Sequence, residues 1–594
     1  MRRLGVALVT AATLAAGAVV GISAPAVAVP VALGGCGWQP TLASMNNPAS
    51  IRAGVLKLSG YAPVNINLTG NINWSTDPYQ DPTWRLWFHS LKWMESLAVS
   101  GDADDLALAR QIVTDFVADN PDPGTNGGAW DDHATSFRTS LFVCMWNQST
   151  DPDFRTWLEP ILRTHAQVVR DRYVGSWNHG TMQSLALLAA GCTLDEASWR
   201  NLAAARLQAE LVAGIDAQGA ILEQAPGYAS FIQSLHREAQ AHPAACEMPM
   251  PTGPYERVDA VDTFAAQATR PDGTFVEIGD TFSEKPNAGM GPNSAWVAAR
   301  GAQGTRPADL VKVYNAGYVF ARDSWTNPTQ QYTLRFGPGR YTHGHNDHLA
   351  MTYWSRGLDV LVDPGYDGYA DRPYRTWSRS LQAHNVPIVS GAKYNPDAST
   401  ALVGTSAGKG ARSWQLRDRA FAGAERHRSV LVDDQLKLML VRDDVTADRA
   451  RALQVLWHLD PSWRKERIVN NKRNTTATFL SANGRYRASI IQLAAPKTTL
   501  PSNAATAIRG RKSPNYQGFI SRHRGDQTPA WVIEARRGAA KKQSVITLIV
   551  VTRVGEKVQA VWNQPKGKNR IRVTIGDFYR VYDSARRGGL RAVK

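Results

Sequence analysis

The sequence predicts an α+β protein of several domains, in which a helical domain is followed by an antiparallel β domain. Apolar residues recur at helical spacing from about residue 81 to about residue 301, whereas short β-branched and aromatic runs separated by turns follow from about residue 311. At 594 residues the chain is long enough to build a separate hydrophobic core in each part. The number and length of the β-type runs indicate packed antiparallel sheets, hence a large β-sandwich.

Residues 1–28 have the pattern of a secretory signal peptide. Arg2 and Arg3 carry the positive charge, the stretch 5–21 is apolar, and residues 26–28 (Ala-Val-Ala) form a small-residue cleavage site. No later apolar run reaches the ~18 residues that cross a bilayer. We therefore expect a secreted, extracellular protein without a transmembrane segment, whose residues 29–80 lead into the first domain.

Four cysteines are compatible with an oxidising compartment, where they could pair. They are Cys36, Cys144, Cys192 and Cys246. A chain of this length does not depend on disulfides for its stability, and the sequence leaves the pairing open. Cys144 and Cys192 fall in apolar helical runs and are expected to be buried rather than reactive.

Helices are predicted throughout residues 81–300, each with one apolar stripe. The later ones cover residues 154–173, 179–190, 197–213, 228–240 and 255–269. Such helices must pack on one another as a bundle, a solenoid or a toroid, and periodicity does not choose among these. A stretch rich in Gly, Pro and Asn, 285–307, is the predicted linker and contains one short helix at 295–299.

The β domain is predicted to occupy residues 311–594. Its clearest strands are 332–336, 436–441, 452–459, 476–480, 489–493, 544–551 and 570–575.

The chain is basic, with 67 Lys and Arg against 51 Asp and Glu and a formal net charge of +16. This charge favours an anionic partner, either nucleic acid or an acidic polysaccharide. Export favours the polysaccharide, and the basic residues form no DNA-reading motif. We therefore expect an acidic polysaccharide substrate and no nucleic-acid partner; the oligomeric state is left open.

The richest chemistry lies in residues 343–348, His-Gly-His-Asn-Asp-His. On an extended segment His343 and His345 would point to the same face. Asp363 ends an apolar strand and His384 ends a polar loop, so that His345, Asp363 and His384 make a ligand set suited to zinc. The spacing alone fits hydrogen-bonded loop residues equally well.

Three separated stretches together resemble the heparinase II/III-like polysaccharide lyases. The first is residues 343–385, where His-Gly-His-x-Asp, Val-Asp-Pro-Gly and Ala-His-Asn occur in that order. The others are residues 177–183 (Trp-Asn-His-Gly-Thr-Met-Gln) and 223–228 (Glu-Gln-Ala-Pro-Gly-Tyr). The resemblance implies an incomplete (α/α) toroid with a substrate cleft across its open end, followed by the β-sandwich.

The resemblance also implies roles for individual residues. A residue such as Asn178 or His179 would grip the substrate carboxylate, Tyr228 would transfer a proton, and His343 would be catalytic. A second tyrosine is expected just after the Asp-Pro-Gly turn, where Tyr366, Tyr369 and Tyr374 all qualify and Tyr369 is chosen. The residues that match the family's zinc ligands are His345, Asp363 and His384, and that zinc is expected to be structural.

The expected reaction explains these residue types. A lyase removes the C5 proton of a uronate and breaks the C4–O bond of the same ring, so that the oxygen leaves with the neighbouring sugar. Negative charge therefore builds up beside a group that is already a carboxylate. Asn178 and His179 could donate hydrogen bonds to that group. Tyr228 can act directly as an acid, and as a base only if cationic neighbours lower its pKa. His343 could be the base or could help to hold the carboxylate.

Flanking sugar contacts are predicted at Trp130, His133, Arg138 and Gln183, although tryptophan is also common in helical cores. Two of the predicted catalytic residues also have purely structural interpretations. Asn178 could be a helix N-cap, and Tyr228 could begin a helix and bury its ring. Neither neighbour of His345 is predicted to be a ligand. Asp347 is interpreted as a partner that holds a histidine tautomer, and His348 as a surface residue.

Two other functions fit the sequence. A glycoside hydrolase would need two carboxyl groups at the scissile bond, which Glu223 and Asp280 could supply. A non-catalytic envelope protein that binds polysaccharide would keep the positive charge without needing Tyr228 or His343. Within the lyase interpretation the polymer is open, either a glycosaminoglycan such as heparan sulfate or an alginate-like polyuronate.

Overall fold

The computed structural model describes residues 36–37, 45–124, 128–249, 253–565, 568–585 and 589–593. The predicted signal peptide lies outside these ranges. Helices dominate the chain up to residue 298 and antiparallel sheets dominate from residue 311, so the α+β fold class is confirmed. No helix in the described ranges has the length and hydropathy needed to span a membrane.

The N-terminal part contains one small sheet and eleven helices among its described residues. The sheet pairs β1 (Val55–Leu56) with β2 (Val64–Asn65). The helices are α1 (Pro48–Arg52), α2 (Pro82–His89), α3 (Glu95–Val99), α4 (Ala103–Asp119), α5 (Asp132–Gln148), α6 (Pro152–Asp171), α7 (Asn178–Thr193), α8 (Ala197–Gly214), α9 (Ala229–Ala245), α10 (Glu256–Gln267) and α11 (Pro292–Ala298).

Local sequence explains where these helices begin. Asp102, Asp131 and Asp151 cap α4, α5 and α6, because each carboxylate accepts backbone N–H groups that the first helical turn leaves unpaired. Consecutive helices then pack on one another, with α7 in contact with α5, α6, α8 and α9. Since α7 is buried along most of its length, it forms the centre of the helical domain.

Two disulfides tie this domain together. Cys36 bonds to Cys144 in α5, and Cys192 near the end of α7 bonds to Cys246 just after α9. Each bridge joins segments that are far apart in the chain, with sequence separations of 108 and 54 residues. The four cysteines are therefore structural. Cys144 is buried as predicted, whereas Cys192 is only partly buried.

The β domain contains three larger antiparallel sheets and one short helix, α12 (Pro373–Ser378). Its strands are β3 (Val311–Tyr314), β4 (Tyr318–Arg322), β5 (Gln330–Arg335), β6 (Met351–Ser355), β7 (Leu358–Leu361), β8 (Pro387–Val389), β9 (Thr400–Gly408), β10 (Ala411–Phe421), β11 (Ala424–Asp433), β12 (Leu438–His458), β13 (Arg464–Asn470), β14 (Asn474–Leu480), β15 (Tyr486–Leu493), β16 (Ala505–Arg509), β17 (Phe519–Ile520), β18 (Thr528–Pro529), β19 (Trp531–Arg553), β20 (Val558–Asn563), β21 (Arg570–Ile575), β22 (Phe578–Ala585) and β23 (Gly589–Ala592).

The first sheet is the meander β3-β4-β5-β6-β7. The ten-stranded sheet has the order β13-β14-β15-β19-β12-β11-β10-β9, with β8 paired to β12 and β16 paired to β19; β20 to β23 form the third sheet, and β17 pairs with β18. Strands predicted separately at 436–441 and 452–459 are one long strand, β12. It bends through register shifts between Thr446 and Leu453 while it stays paired with β19, so local sequence could not reveal its continuity.

Side-chain alternation explains how the layers stack. In β4, Val319 and Ala321 join the core shared with the ten-stranded sheet, whereas Tyr318 and Phe320 join the core shared with the helical domain. The meander sheet is therefore covered on both faces. The other face of the ten-stranded sheet packs on the third sheet.

We predict that replacing Cys192 and Cys246 together by serine lowers the free energy of unfolding by up to about 4 kcal/mol, because the bridge restricts a loop of 54 residues in the unfolded chain. Urea unfolding of the variant and the oxidised parent measures this difference. An unchanged midpoint with an unchanged slope would contradict the predicted stabilisation.

Candidate functional site

Residues from both domains meet at one cluster. Tyr228 comes from the 3-10 turn before α9, and its ring stacks on His343 with centroids 3.9 Å apart and planes 15° from parallel. Asn178, the first residue of α7, has its Nδ2 3.4 Å from His343 Nε2. Tyr369 lies on the other side, with its hydroxyl 3.0 Å from His343 Nδ1 and in contact with the hydroxyl of Tyr228. His343 is therefore the centre of the cluster.

Asn178 is held by Glu223 rather than acting as a helix cap. Its backbone N–H and its side-chain amide donate to the two carboxylate oxygens of Glu223, at 2.6 and 2.5 Å. The N-cap position belongs to Trp177, whose side chain caps nothing. Two residues after Asn178, Gly180 packs against the chain so closely that a Cβ there would lie 1.8 Å from the carbonyl oxygen of Gly175.

The loop that carries His343 and His345 forms turns rather than the predicted extended segment. Both imidazoles nevertheless face one carboxylate, that of Asp280, at 3.2 Å from His343 Nδ1 and 3.0 Å from His345 Nε2. The glycine between them leaves room for Gln224: a Cβ on Gly344 would lie 2.1 Å from the side-chain oxygen of Gln224, which would then have to move.

Asp280 is buried but charged. Burial alone would raise its pKa, but hydrogen bonds from His343, His345 and Arg375 hold the pKa well below 3.8. Arg375 pairs with both carboxylate oxygens, with its Nη2 2.8 Å from Oδ2.

Because an ionised carboxylate only accepts hydrogen bonds, we assign the protons that face Asp280 to Nδ1 of His343 and Nε2 of His345. In these neutral forms His345 Nδ1 keeps its lone pair. His343 Nε2 keeps its lone pair toward the amide of Asn178, and a carboxylate oxygen of Glu223 also lies 3.4 Å from it.

Both tyrosine hydroxyls of the cluster are neutral. Burial raises the pKa of Tyr228 well above 10.0, and the nearby Tyr366, Asp280 and Glu223 raise it further. Burial likewise raises the pKa of Tyr369 well above 10.0. Of the three tyrosines considered after the Asp-Pro-Gly turn, Tyr369 reaches His343. Tyr366 stacks on Phe282 at 4.3 Å between centroids, and the hydroxyl of Tyr374 donates to the carbonyl of Pro364.

His179 lies beside this cluster and is partly exposed. Its Nδ1 is 2.8 Å from a carboxylate oxygen of Asp132, and its ring stacks on Trp177 with centroids 3.9 Å apart. His133 packs against it, with ring centroids 4.3 Å apart. Of the four predicted sugar contacts, His133 is therefore the one next to the candidate site.

The structure corrects the other three predicted sugar contacts, because they are buried inside the helical domain. Trp130 donates to the carbonyl of Asn120, and Gln183 donates to the carbonyl of Arg172. Arg138 is 0% exposed and donates to the carbonyl of His89. Because their polar atoms are hydrogen-bonded within the core, these three side chains are not available to contact a substrate.

His345, Asp363 and His384 lie together on the buried side of the cluster and could hold a metal ion. The ligand atoms that they offer lie within 4.8 Å of one another. Three of their polar atoms, His345 Nδ1, Asp363 Oδ1 and His384 Nε2, are buried without a hydrogen-bond partner in the described chain. Such orphaned acceptors fit a cation at their centre. Asn385 fixes the adjacent backbone by donating to the carbonyls of Met351 and Val362.

Several polar residues that support the cluster could not be identified from the sequence. Glu223 and Asp280 were predicted only as carboxyl groups of a possible hydrolase, and no sequence pattern indicated Arg375. Asp347 pairs with Arg335 at 2.9 Å. His348 is 2% exposed. His348 was predicted to lie at the surface because it has no counterpart in the family pattern; that prediction is wrong, because the fold covers the loop.

Comparisons with known proteins agree with this fold. The chain matches two models of one family, "Heparinase II/III N-terminus" over residues 46–296 and "Heparinase II/III-like, C-terminal" over residues 305–573. It is 22% identical over 525 residues to a heparin-sulfate lyase of Pedobacter heparinus, covering 81% of this chain and 75% of that protein.

Solved structures give the same architecture. The crystal structure of a heparinase III has a TM-score of 0.73 at 16% identity, covering 90% of this chain and 89% of that one. A chondroitin AC lyase of Streptomyces coelicolor, solved with chondroitin sulphate, has a TM-score of 0.53 at 11% identity and covers 92% and 84%. The fold is thus the incomplete toroid with a β-sandwich. The chain belongs to the heparinase II/III-like family of polysaccharide lyases.

Proposed function

We propose that this protein is a secreted lyase that cleaves uronate-containing glycosaminoglycan by β-elimination at the cluster around His343. The observation that carries the proposal is the convergence of one imidazole, one neutral phenol and one amide from two domains. The imidazole of His343 touches the ring of Tyr228 and lies 3.4 Å from the amide nitrogen of Asn178. Export is supported by the signal-like N-terminus and the two disulfides.

Proton abstraction at C5 requires that the uronate carboxylate be neutralised by hydrogen-bond donors. Asn178 suits this role because its amide is already oriented by Glu223, so that little reorganisation is needed when substrate binds. His179 is the second donor that we assign, since it is partly exposed beside Asn178 and its ring is oriented by Asp132.

The shifted pKa values and the hydrogen bonds indicate which residue is the acid and which is the base. Because its pKa is raised well above 10.0, Tyr228 keeps its proton at neutral pH and is not available as a base, so we assign it to donate that proton to the departing C4 oxygen. The base is then His343, whose Nε2 keeps its lone pair because Asp280 holds the proton on Nδ1. We assign Tyr369 to support both groups, since its hydroxyl contacts His343 Nδ1 and the hydroxyl of Tyr228.

The substrate class follows from the relatives and from charge. The matched relatives include a heparin-sulfate lyase and a chondroitin AC lyase, which share a glycosaminoglycan substrate class. The net charge of +16 suits a polyanion of this kind.

The rival hydrolase is disfavoured by the state of its two carboxyl groups. A hydrolase needs one protonated carboxyl group as a general acid. Asp280 cannot supply it, because three cationic or donor groups hold its pKa well below 3.8. Glu223 is 2% exposed and accepts two hydrogen bonds from Asn178, so it is engaged in holding that residue.

We also propose that His345, Asp363 and His384 bind a structural zinc ion. Their orphaned atoms fit zinc, which takes imidazole nitrogen and carboxylate oxygen ligands. When bound, zinc would join the His343 loop to the strand end at Asp363 and to the loop before β8.

The proposed reaction is tested by the ultraviolet absorbance of the purified protein with heparan sulfate, heparin, hyaluronan, chondroitin sulfates and alginate. Elimination leaves a conjugated double bond, whereas hydrolysis leaves only new reducing ends. An absorbance rise with a glycosaminoglycan is the expected result. New reducing ends without the absorbance would refute the lyase assignment.

We predict that Tyr228→Phe lowers kcat by roughly 10²- to 10⁴-fold, because it removes the proton donor, while substrate binding changes little because the ring still stacks on His343. Steady-state rates and calorimetric binding measure the two quantities. Tyr341→Phe is the control, since it removes the hydroxyl of a tyrosine that is 46% exposed. Near-normal turnover by Tyr228→Phe would refute the assignment of Tyr228 as the proton donor.

We predict that His345→Ala loses bound zinc and unfolds at a lower temperature, because one of three ligands to a buried ion is removed. Elemental analysis and thermal unfolding of the purified proteins measure this. His348→Gln is the matched control: this histidine is also buried, but it is not in the ligand set. Equal zinc content in parent and His345→Ala would refute the ligand set.

A further inference from the structure

A second groove, of about 730 Å³, lies at the junction of the two domains and shares no lining residue with the His343 cluster. Its walls come from the turn after α10 (269–273), from α11 and the loop that follows it (296–306), and from the connection between β4 and β5 (322–328). The groove is therefore built by both domains, as the catalytic cluster is.

The lining of this groove is strongly basic. It contains four arginines, Arg270, Arg300, Arg306 and Arg322, and no carboxylate. The charge of Arg270 is met by the buried Glu277, and carboxylate oxygens of Asp272 and Asp359 lie 3.8 and 4.0 Å from its Nε. Arg300 and Arg306 are exposed and make no ion pair with any residue that the structure describes. Three positive charges consequently lack a carboxylate partner in the described part of the chain.

Arg322 is the most unusual of them because it is buried without a counter-ion. It is 6% exposed, and its Nη2 donates to the carbonyls of Gln267 and Thr269 at 3.1 and 2.9 Å. Its guanidinium lies 3.6 Å from the ring centroid of Trp325, and its Nε has no hydrogen-bond partner among the described residues. Burial lowers its pKa to about 9. Buried charges in proteins are normally paired, so this one is suited to an external anion.

We propose that this groove binds a segment of acidic polysaccharide outside the catalytic site, with Arg322 at its base and Arg300 and Arg306 at its rim taking sulfate or carboxylate groups. Trp296, which is partly exposed and packs edge to face on the buried Trp325, adds the apolar surface on which the C–H face of a sugar ring packs. The proposal rests on the proposed function for the identity of the ligand and goes beyond it, since it gives the enzyme a second contact with a long chain.

The test uses Arg300→Gln/Arg306→Gln, which alters two exposed side chains and spares the core. Its matched control is Arg572→Gln/Arg591→Gln, which removes the same charge from the outer four-stranded sheet. Kinetics are measured on a long glycosaminoglycan and on a tetrasaccharide, which offers far fewer groups for contacts outside the catalytic cluster. We expect the KM for the long chain to rise roughly fivefold with kcat unchanged, and both constants for the tetrasaccharide to stay at parent values.

A calorimetric measurement with the long chain in a Tyr228→Phe background follows binding without turnover. Weaker binding in the Arg300/Arg306 variant, and parent-like binding in the control, is the expected result. Turnover with an unchanged long-chain KM and unchanged affinity would overturn the groove and leave the lyase assignment standing. Binding through the groove without any elimination product would support the groove and refute the lyase assignment. Binding of inorganic sulfate at Arg322 without polymer affinity would also overturn it.

Discussion

The buried carboxylate of Asp280 is the interaction on which the candidate site depends. It accepts hydrogen bonds from His343 and His345 and is neutralised by Arg375. One group thereby sets opposite tautomers in two histidines that are two residues apart. His343 is left with Nε2 as its basic atom, facing Asn178, and His345 is left with Nδ1, facing the candidate metal set. A buried anion with three donors is costly to disturb, because removal of any donor leaves charge uncompensated.

The backbone makes the same connection between the domains. The N–H of His343 donates to the carbonyl of Glu223, and its carbonyl accepts from the N–H of Asp280, at 3.1 and 3.0 Å. The loop of the β domain is thus held between two segments of the helical domain, and those segments also supply the carboxylates that orient Asn178 and His343. The geometry of the candidate site therefore depends on how the two domains pack together. A change that separates the domains would disturb the proposed base, the proposed acid and the carboxylate donor together.

The two-domain organisation and most residues of the candidate site could be predicted from the sequence. The change from helical to alternating periodicity located the two domains, because side-chain spacing is a local property. The short motifs, which occur in the order typical of the family, predicted Asn178, Tyr228, His343 and the candidate metal set as site residues. The supporting residues could not be predicted in the same way: Glu223 meets Asn178 across 45 residues and Arg375 meets Asp280 across 95, and no local pattern records those pairings. The prediction that Arg138 contacts sugar was wrong for a related reason: its guanidinium donates hydrogen bonds to groups inside the core rather than facing solvent.

The most direct test of this account is nitrogen NMR of the histidine side chains at neutral pH, with signals assigned by His343→Ala and His345→Ala. The account predicts that neutral His343 carries its proton on Nδ1 and that His345 carries its proton on Nε2, and that both patterns are lost in Asp280→Asn. If the two rings share one tautomer in the parent protein, or keep their protonation sites when Asp280 is replaced, the carboxylate does not organise the site and the account fails.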